Sequence, residues 1–383
     1  MIASADRPYD PNARRDTPLG RQLAARIRET GPISVAEYMR TCLHDRAYGY
    51  YKVQTAIGAN ADFITAPEIS QVFGELVGLW GAIVWRLIGQ PSRLSLLEIG
   101  AGRGTMMRDT LRAARTVPGY RDAIIPRIQE PSLRLRELQR ATLGQSGDTV
   151  RFIETADDLD PAPTIAIANE VIDCVAINQR VWAKLADGTL GWRERVVGLD
   201  ETGALAFALG APVGGISEPY PVTGSAPRPI LGDIIEERQV GCLLDSLTRI
   251  AEHGSVAALF FDYGHEATGY GDTLQAVRGH ALEHPLTSPG EADLTSQVDF
   301  AATARQATAC GFCVDGPATQ AEFLGRLGAT ERASALMAAN PARASEIESG
   351  VLRLMAPNGM GTRFKAMALR SADVAPLPGF ETA

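Results

Sequence analysis

Unbroken runs of apolar residues, each closed by polar or glycine-rich residues, recur through the middle of the chain. A strand that is covered on both faces has this pattern, so the runs predict a buried parallel sheet. The predicted strands are Leu94 to Ile99, Ala123 to Gln129, Val150 to Glu154, Thr164 to Ala168 and Ser255 to Phe261. Helical sequences at Thr105 to Arg115 and Ser132 to Leu143 lie between the first three strands. This alternation predicts an α/β fold.

Helical patterns dominate the N-terminal part of the chain. Leu19 to Thr30 predicts one helix, and Ser34 is placed to cap the next. The longest apolar tract, Val72 to Gly89, is interrupted by Glu75 and Arg86. It therefore predicts a buried helix rather than a membrane span, and we expect no membrane insertion.

The pattern changes character between Cys174 and about Ile230. Turn signals such as Asp187-Gly188 between alternating segments predict strand hairpins, which suggests an inserted lid or substrate module. After it, Ile234 to Ala251 predicts a helix and Glu266 to Thr295 a long polar loop. A last strand is predicted at the end of Gly359 to Leu369.

The first predicted strand runs directly into alternating glycines. Glu98 is followed by Gly100, Gly102 and Gly104, and a helical sequence begins at Thr105. Strand, glycine turn and helix form the place where an α/β sheet binds a nucleotide-like ligand. A dinucleotide fingerprint would need glycine in place of Thr105. An acidic residue before the turn instead suits the cationic groups of S-adenosylmethionine (SAM), although a glycine turn used only for packing stays an alternative.

This motif is usual in class I methyltransferases, so the predicted fold is a Rossmann-like SAM methyltransferase sheet with a helical N-terminal cap and an inserted β-rich module. The predicted parts are a flexible arm at 1–18, the helical cap at 19–90, a core at 91–174 and 231–369, the inserted lid or substrate module at 175–230, and a tail at 370–383. SAM is the predicted cofactor.

Further cofactor contacts are predicted from residues that follow other strands. Glu130 ends the second strand, where an acidic side chain accepts hydrogen bonds from ribose hydroxyls. Asp157, after the third strand, is a candidate contact to the adenine edge, or a residue of a solvated turn. Thr65 precedes the long apolar helix and either caps it or belongs to a loop that encloses the cofactor.

Polar residues also follow the fourth and fifth predicted strands. Asn169, Glu170 and Asp173 come directly after the fourth, and Tyr263 and His265 end the fifth. Because carboxyl ends of parallel strands gather functional groups, we expect the first set to be catalytic and the second to be weaker candidates.

Charge and cysteine content exclude several classes of function. The net charge of −8 provides no global basic field for nucleic acid. The five cysteines are odd in number and scattered, which indicates a reducing compartment. Cys310 and Cys313 are predicted as small core residues at a helix-to-strand junction, and no metal site is predicted.

The absence of an apolar leader and the acidic residues near the start predict a cytoplasmic protein, with the mitochondrial matrix as the alternative.

The chain resembles the MidA family, the group that includes the mitochondrial complex I assembly methyltransferase. The resemblance extends from about Gly31 to Leu369. It depends on the segments DFITAPEISQVFGE, LLEIGAGRGTMMRD, ANEVIDCVAINQ, LFFDYG, GDTLQAVRGH, PGEADLTSQVDF and GMGTRFKAM.

The resemblance implies transfer of a methyl group from SAM to a protein, with an arginine of a respiratory complex I subunit as the expected acceptor. Glu170 and Asp173 are then expected to orient the guanidinium, and Asn169 to position it by hydrogen bonding. Two alternatives stay open from the residues alone. One is a non-catalytic assembly chaperone on the same fold, and the other is an NAD-dependent oxidoreductase.

Overall fold

The structure, a computed structural model, describes residues 9–53, 65–214 and 228–381. The chain divides into two compact units. Unit 1 comprises Met1–Phe63, Asp173–Gln239 and His265–Ala302, and unit 2 comprises Ile64–Ile172, Val240–Gly264 and Thr303–Ala383. Within the described ranges, every helix is too short or too polar to cross a membrane.

The elements are numbered in chain order. The helices are α1 (Pro18–Thr30), α2 (Val35–His44), α3 (Tyr50–Val53), α4 (Ala66–Ile69), α5 (Gln71–Leu87), α6 (Thr105–Ala114), α7 (Tyr120–Ala123), α8 (Leu133–Leu143), α9 (Gly241–Ala251), α10 (Phe300–Ala309), α11 (Gln320–Arg326), α12 (Ala329–Ala339) and α13 (Ala344–Met355). The strands are β1 (Ile33–Ser34), β2 (Leu94–Ile99), β3 (Ile124–Gln129), β4 (Arg151–Ile153), β5 (Thr164–Asn169), β6 (Ile177–Lys184), β7 (Leu190–Leu199), β8 (Leu205–Pro212), β9 (Ile234–Arg238), β10 (Val256–His265), β11 (Gln275–Arg278), β12 (Ala281–Glu283), β13 (Asp293–Thr295), β14 (Val298–Asp299), β15 (Cys313–Thr319) and β16 (Phe364–Arg370).

Unit 2 is built on a mixed sheet in the order β15-β16-β10-β5-β2-β3-β4. Strands β10, β5, β2, β3 and β4 pair in parallel, and β16 is antiparallel to both of its neighbours. The predicted parallel sheet is confirmed. Every residue of β5 is buried, which is why apolar residues run without interruption from Ile165 to Ala168.

Helix α5 packs closely on α6 because two of its glycines face that helix. A Cβ atom at Gly74 would lie 2.8 Å from Asp109 Cβ, and one at Gly78 would lie 2.7 Å from the carbonyl oxygen of Thr110. The apolar tract that predicted a buried helix therefore forms α5, which covers the sheet together with α6.

Unit 1 contains the inserted hairpins. Strand β7 pairs antiparallel with both β6 and β8. The first turn lies at Asp187-Gly188, as predicted, and the second lies at residues 200–204. Strand β9 pairs with the other edge of β6, and β11 pairs with β12 and β13. The unit has its own core, to which α1, α2 and strands β6, β7, β8, β11 and β13 contribute.

Three predictions about unit 1 differ from the structure. Residues 234–238 form β9 instead of helix, because Ile234 pairs with Val181 of β6 and Ile235 is buried. The predicted loop after His265 contains β11 to β13, since Leu274 and Leu294 pack into the core of unit 1. Residues 265–302 consequently group with unit 1 rather than with the sheet of unit 2, in which the sequence placed them.

The predicted arm and tail also pack in part. In unit 1, the Arg15 main-chain N–H donates to the carbonyl oxygen of Thr287 at 2.7 Å. In unit 2, Val374 and Leu377 are buried in the core.

The junction of α10 and β15 lies where it was predicted, but Cys310 is exposed, so its assignment to the core is wrong.

An ion cluster around the buried carboxylate of Glu75 ties three helices of unit 2 together. Glu75 of α5 is 1% exposed, and its carboxylate accepts from Arg112 Nε of α6 at 2.8 Å and from Arg332 Nε of α12 at 2.7 Å. Burial by itself raises the pKa of Glu75, but the hydrogen bonds from Arg332 and Arg112 outweigh it and hold the pKa below its ordinary value.

We expect Glu75→Ala to lower the free energy of unfolding by about 3 kcal/mol at neutral pH, because it removes a buried carboxylate that accepts two charge-assisted hydrogen bonds. The pKa of Glu75 is lower in the folded chain than in the unfolded one. Its stabilisation is therefore present above the unfolded pKa and is lost as the pH falls through the folded value. Urea unfolding at several pH values measures both effects.

Glu346 provides the matched control in the same unit. Its Oε1 atom forms an ion pair with Arg343 Nη2 at 2.7 Å, but both side chains are more than half exposed. Glu346→Ala should shift the unfolding midpoint far less than Glu75→Ala. Equal shifts for the two variants would contradict a stabilising role for the ion cluster around Glu75.

Candidate active site

The glycine turn joins β2 to α6 as the sequence predicted. Gly100, Gly102 and Gly104 have φ values of +68°, +54° and +83°, in the left-handed region that favours glycine. Gly104 is the residue before α6, and Thr105, the first residue of the helix, is buried. The turn therefore depends on glycine for its backbone conformation.

Glu98 is buried in the centre of the sheet, immediately before this turn. It is 1% exposed, and its Oε2 atom has no hydrogen-bond partner among the described residues. Burial raises the pKa of Glu98 to about 8, against the effect of a hydrogen bond from the main-chain N–H of Met107 and with a smaller contribution from Asp109. A cationic ligand would stabilise the charged carboxylate, so Glu98 fits the ammonium and sulfonium groups of SAM.

Glu130 follows β3 at the same edge of the sheet, and its carboxylate is held in place. The main-chain N–H of Ser132 donates to Oε1 at 2.8 Å, and Gln139 Nε2 donates to Oε2 at 3.2 Å. Each carboxylate oxygen can accept more than one hydrogen bond, so these two bonds are compatible with the ribose contact predicted for Glu130.

Gln139 is a site residue that the sequence analysis missed. It lies on α8, is fully buried, and also donates from Nε2 to the carbonyl oxygen of Gly102 at 2.9 Å. The available signal was its spacing: Gln139 precedes buried Leu143 by one helical turn, so it lies on the inner face of the helix.

The end of β5 carries two of the predicted catalytic residues. Asn169 Nδ2 donates to Glu170 Oε1 at 2.8 Å, while the buried Asn169 Oδ1 has no hydrogen-bond partner in the part of the chain that the structure describes. Glu170 has φ of +55°, although it is not glycine. Such a backbone conformation costs on the order of 1–3 kcal/mol, and its position at a strand end marks it as a functional candidate.

Asp262 of β10 holds the chain segment that follows Glu170, and it too was not predicted. It is fully buried; its Oδ2 accepts from the main-chain N–H of Ile172 and its Oδ1 from that of Tyr263, both at 2.9 Å. The Glu170 N–H donates to the carbonyl oxygen of Phe261 at 2.8 Å. These bonds fix Glu170 between its own strand and β10.

The glycine turn and the end of β5 lie against each other. Strands β2 and β5 pair in parallel with Ile99 opposite Ala168. A Cβ atom at Gly100 would lie only 2.7 Å from Val171 Cγ2. The structure therefore brings the turn together with Asn169 and Glu170.

One predicted cofactor contact, Asp157, is not brought to this edge. Asp157 forms an ion pair with Arg249 Nε at 2.8 Å and lines a cavity together with Thr164, which begins β5 at the opposite edge of the sheet. Thr65 is the N-cap residue of α4 and makes no side-chain capping bond. Most of the loop that was expected to enclose the cofactor, at residues 58–64, lies outside the described residues.

The remaining predicted residues divide between the units. In unit 1, the carbonyl oxygen of the buried Asp173 accepts from Arg238 Nη1 and from the Ser296 N–H, both at 3.0 Å. The Nε2 atom of His265, also in unit 1, lies 3.8 Å from Asp299 Oδ2. Tyr263, in unit 2, packs its ring against Phe364.

Comparison with known proteins identifies the chemistry. A family model described as an S-adenosyl-L-methionine-dependent methyltransferase matches residues 76–318. The chain is 35% identical to the mitochondrial protein arginine methyltransferase NDUFAF7 homolog of Drosophila melanogaster, over 92% of this chain and 84% of that protein. It is 34% identical to protein arginine methyltransferase NDUFAF7 of Mus musculus, over 96% of this chain and 87% of that protein.

A solved structure supports the same conclusion. A Burkholderia thailandensis protein described as a methyl transferase, with S-adenosyl-homocysteine bound, superimposes with a TM-score of 0.79 at 26% identity. The match covers 94% of this chain and 93% of that one. These findings favour a methyltransferase over the NAD-dependent oxidoreductase and the non-catalytic chaperone.

We predict that S-adenosylhomocysteine binding releases a proton from Glu98. At about pH 7 a carboxyl with a pKa of about 8 is mostly protonated, and a neighbouring ammonium group favours the charged form. Calorimetry in buffers of different ionisation enthalpy should show up to about one proton more released by the wild type than by Glu98→Gln. Glu75→Gln, which removes an equally buried but ion-paired carboxylate, should match the wild type. Equal proton release by the wild type and Glu98→Gln would contradict this placement of the cofactor.

The family match covers well over half of the chain, and the relatives align along more than nine tenths of it. The cofactor is S-adenosylmethionine, as the acidic residue and the glycine turn indicated. The chain belongs to the MidA family of S-adenosyl-L-methionine-dependent methyltransferases.

Proposed function

We propose that this protein methylates an arginine side chain of a protein substrate, with Glu170 and Asn169 at the acceptor. The observation that carries the proposal is the placement of Glu170. Glu170 directly follows β5 and has a left-handed backbone conformation. Its carboxylate accepts a hydrogen bond from Asn169, and the segment that it begins packs on the glycine turn.

Arginine as the acceptor explains why a carboxylate is needed here. Bound SAM supplies an electrophilic methyl group for an in-line displacement, so the protein mainly positions the acceptor. A guanidinium is protonated in water and donates from a planar set of N–H groups. Glu170 can orient that group and accept a proton as the new C–N bond forms.

The surroundings of Glu170 support this role. Asn169 Nδ2 holds Glu170 Oε1, which sets the direction of the carboxylate. Asn169 Oδ1, buried and without a partner among the residues described, offers an acceptor for a guanidinium N–H. Asp262 anchors the following segment by the Ile172 N–H, so Glu170 keeps its strained backbone. Asp173 keeps the orienting role expected from the sequence as a prediction.

The substrate and location are proposed from the relatives. NDUFAF7 proteins of mouse, fly and human are named as protein arginine methyltransferases and as mitochondrial. The resemblance to the MidA family adds a complex I subunit as the expected substrate and its assembly as the expected process. Of the two locations predicted from the sequence, these names favour the mitochondrial matrix, and cytoplasmic residence stays a prediction.

Glu170→Gln should retain S-adenosylhomocysteine binding and lose methyl transfer by about a hundredfold or more, because the amide cannot accept the proton. Calorimetry measures the binding, and mass spectrometry of a methylated protein substrate measures the transfer. Full transfer activity in this variant would refute the assignment.

Two further variants separate chemistry from folding. Glu170→Gly accommodates the left-handed backbone, so it should be at least as stable as the wild type and equally inactive. Glu201→Gln changes an exposed carboxylate in a turn of unit 1 and should leave transfer unchanged.

Mass spectrometry of complex I subunits from cells with and without this protein tests the substrate. We expect an arginine methylated in wild-type cells and unmodified in cells that lack the protein or carry only Glu170→Gln. Restored complex I assembly by the inactive variant, without methylation, would instead favour the chaperone role.

A further inference from the structure

Gln139 connects two segments of the cofactor site through one amide group. The side chain of Gln139 is fully buried. Its Nε2 atom donates to the carbonyl oxygen of Gly102 at 2.9 Å and to Glu130 Oε2 at 3.2 Å. These acceptors belong to the glycine turn and to the residue after β3, which are distant in sequence.

Contact between Gln139 and the turn is close as well as polar. A Cβ atom at Gly104 would lie 3.4 Å from Gln139 Cβ. Gly104 has a φ of +83° and directly precedes α6. The side chain therefore packs against the last glycine of the turn while its amide bonds to the middle one.

Burial of the Gln139 amide opposes folding, and packing alone does not explain why glutamine occupies this position. Gln139 Oε1 is buried and has no hydrogen-bond partner among the described residues. An unsatisfied buried acceptor opposes folding, and a leucine of similar volume would fill the space without that penalty. The two bonds from Nε2 are what glutamine provides here and leucine does not.

We infer that Gln139 is a positioning residue that sets the distance between the glycine turn and the Glu130 carboxylate to fit the ribose of the cofactor. The inference depends on the proposed role of Glu130 in holding the ribose hydroxyls. Gln139 acts through Gly102 and Glu130. Without its amide, the carboxylate and the turn move independently, and the ribose hydroxyls lose a preorganised acceptor.

Gln320 provides a matched control for Gln139. It is also fully buried in unit 2, its Nε2 donates to the carbonyl oxygen of Leu354 at 2.8 Å, and its Oε1 likewise lacks a partner in the described part of the chain. Gln320 begins α11, outside the glycine turn. Replacing either glutamine by leucine removes one buried amide from the same unit.

The test compares Gln139→Leu with Gln320→Leu by thermal unfolding and by calorimetric titration with S-adenosylhomocysteine. We expect comparable shifts in Tm, about tenfold weaker binding by Gln139→Leu, and wild-type binding by Gln320→Leu. Gln139→Leu should also discriminate less between S-adenosylhomocysteine and its 2′-deoxy analogue. Wild-type affinity and discrimination in Gln139→Leu would overturn the inference, as would equal weakening by both variants.

Glu130→Ala distinguishes this inference from the role of Glu130 itself. If Glu130→Ala weakens binding and Gln139→Leu does not, Glu130 keeps its role and the inference about Gln139 fails. If Glu130→Ala binds like the wild type, the ribose role of Glu130 fails, and the inference fails with it. When both roles hold, Gln139→Leu should have a smaller effect in the Glu130→Ala background, because the two residues act on one group.

Discussion

Strands β2 and β5 pair in parallel, with Ile99 opposite Ala168, and the placement of the proposed cofactor and acceptor residues depends on this pairing. Parallel strands end at the same edge, so the glycine turn after β2 and the Asn169-Glu170 pair after β5 become neighbours. The absence of a side chain at Gly100 lets Val171 approach it. A side chain there would separate the two segments of the proposed site.

Buried polar side chains hold this edge in shape. Asp262 accepts two main-chain N–H groups beside the acceptor segment, and Gln139 donates to the glycine turn and to Glu130. Both lie in the low-dielectric interior, where hydrogen bonds are strong and an unpaired group is costly. The site residues themselves are strained or raised in pKa, as Glu170 and Glu98 show, and this supporting set keeps them in place.

Local patterns predicted the sheet of unit 2 well, because strands buried on both faces and a glycine turn leave unmistakable signatures. The residues missed or misplaced share a different cause. Gln139 and Asp262 are polar residues whose partners are distant in sequence. Asp157 follows a strand but forms an ion pair with Arg249. In unit 1, β9 and the strands after Gln275 form because neighbouring strands and core residues are available to them.

The sequence by itself determined the fold class, the cofactor and the family, because these depend on short contiguous patterns: apolar runs, the turn from Glu98 to Thr105, and polar residues at strand ends. Only the tertiary structure decided which of those polar residues meet. It placed Glu170 in a left-handed conformation against β10, separated Asp157 from the site, and grouped residues 265–302 with unit 1. The physical reason is that side-chain hydrogen bonds and core packing join segments far apart in the chain, and local patterns do not encode those pairings.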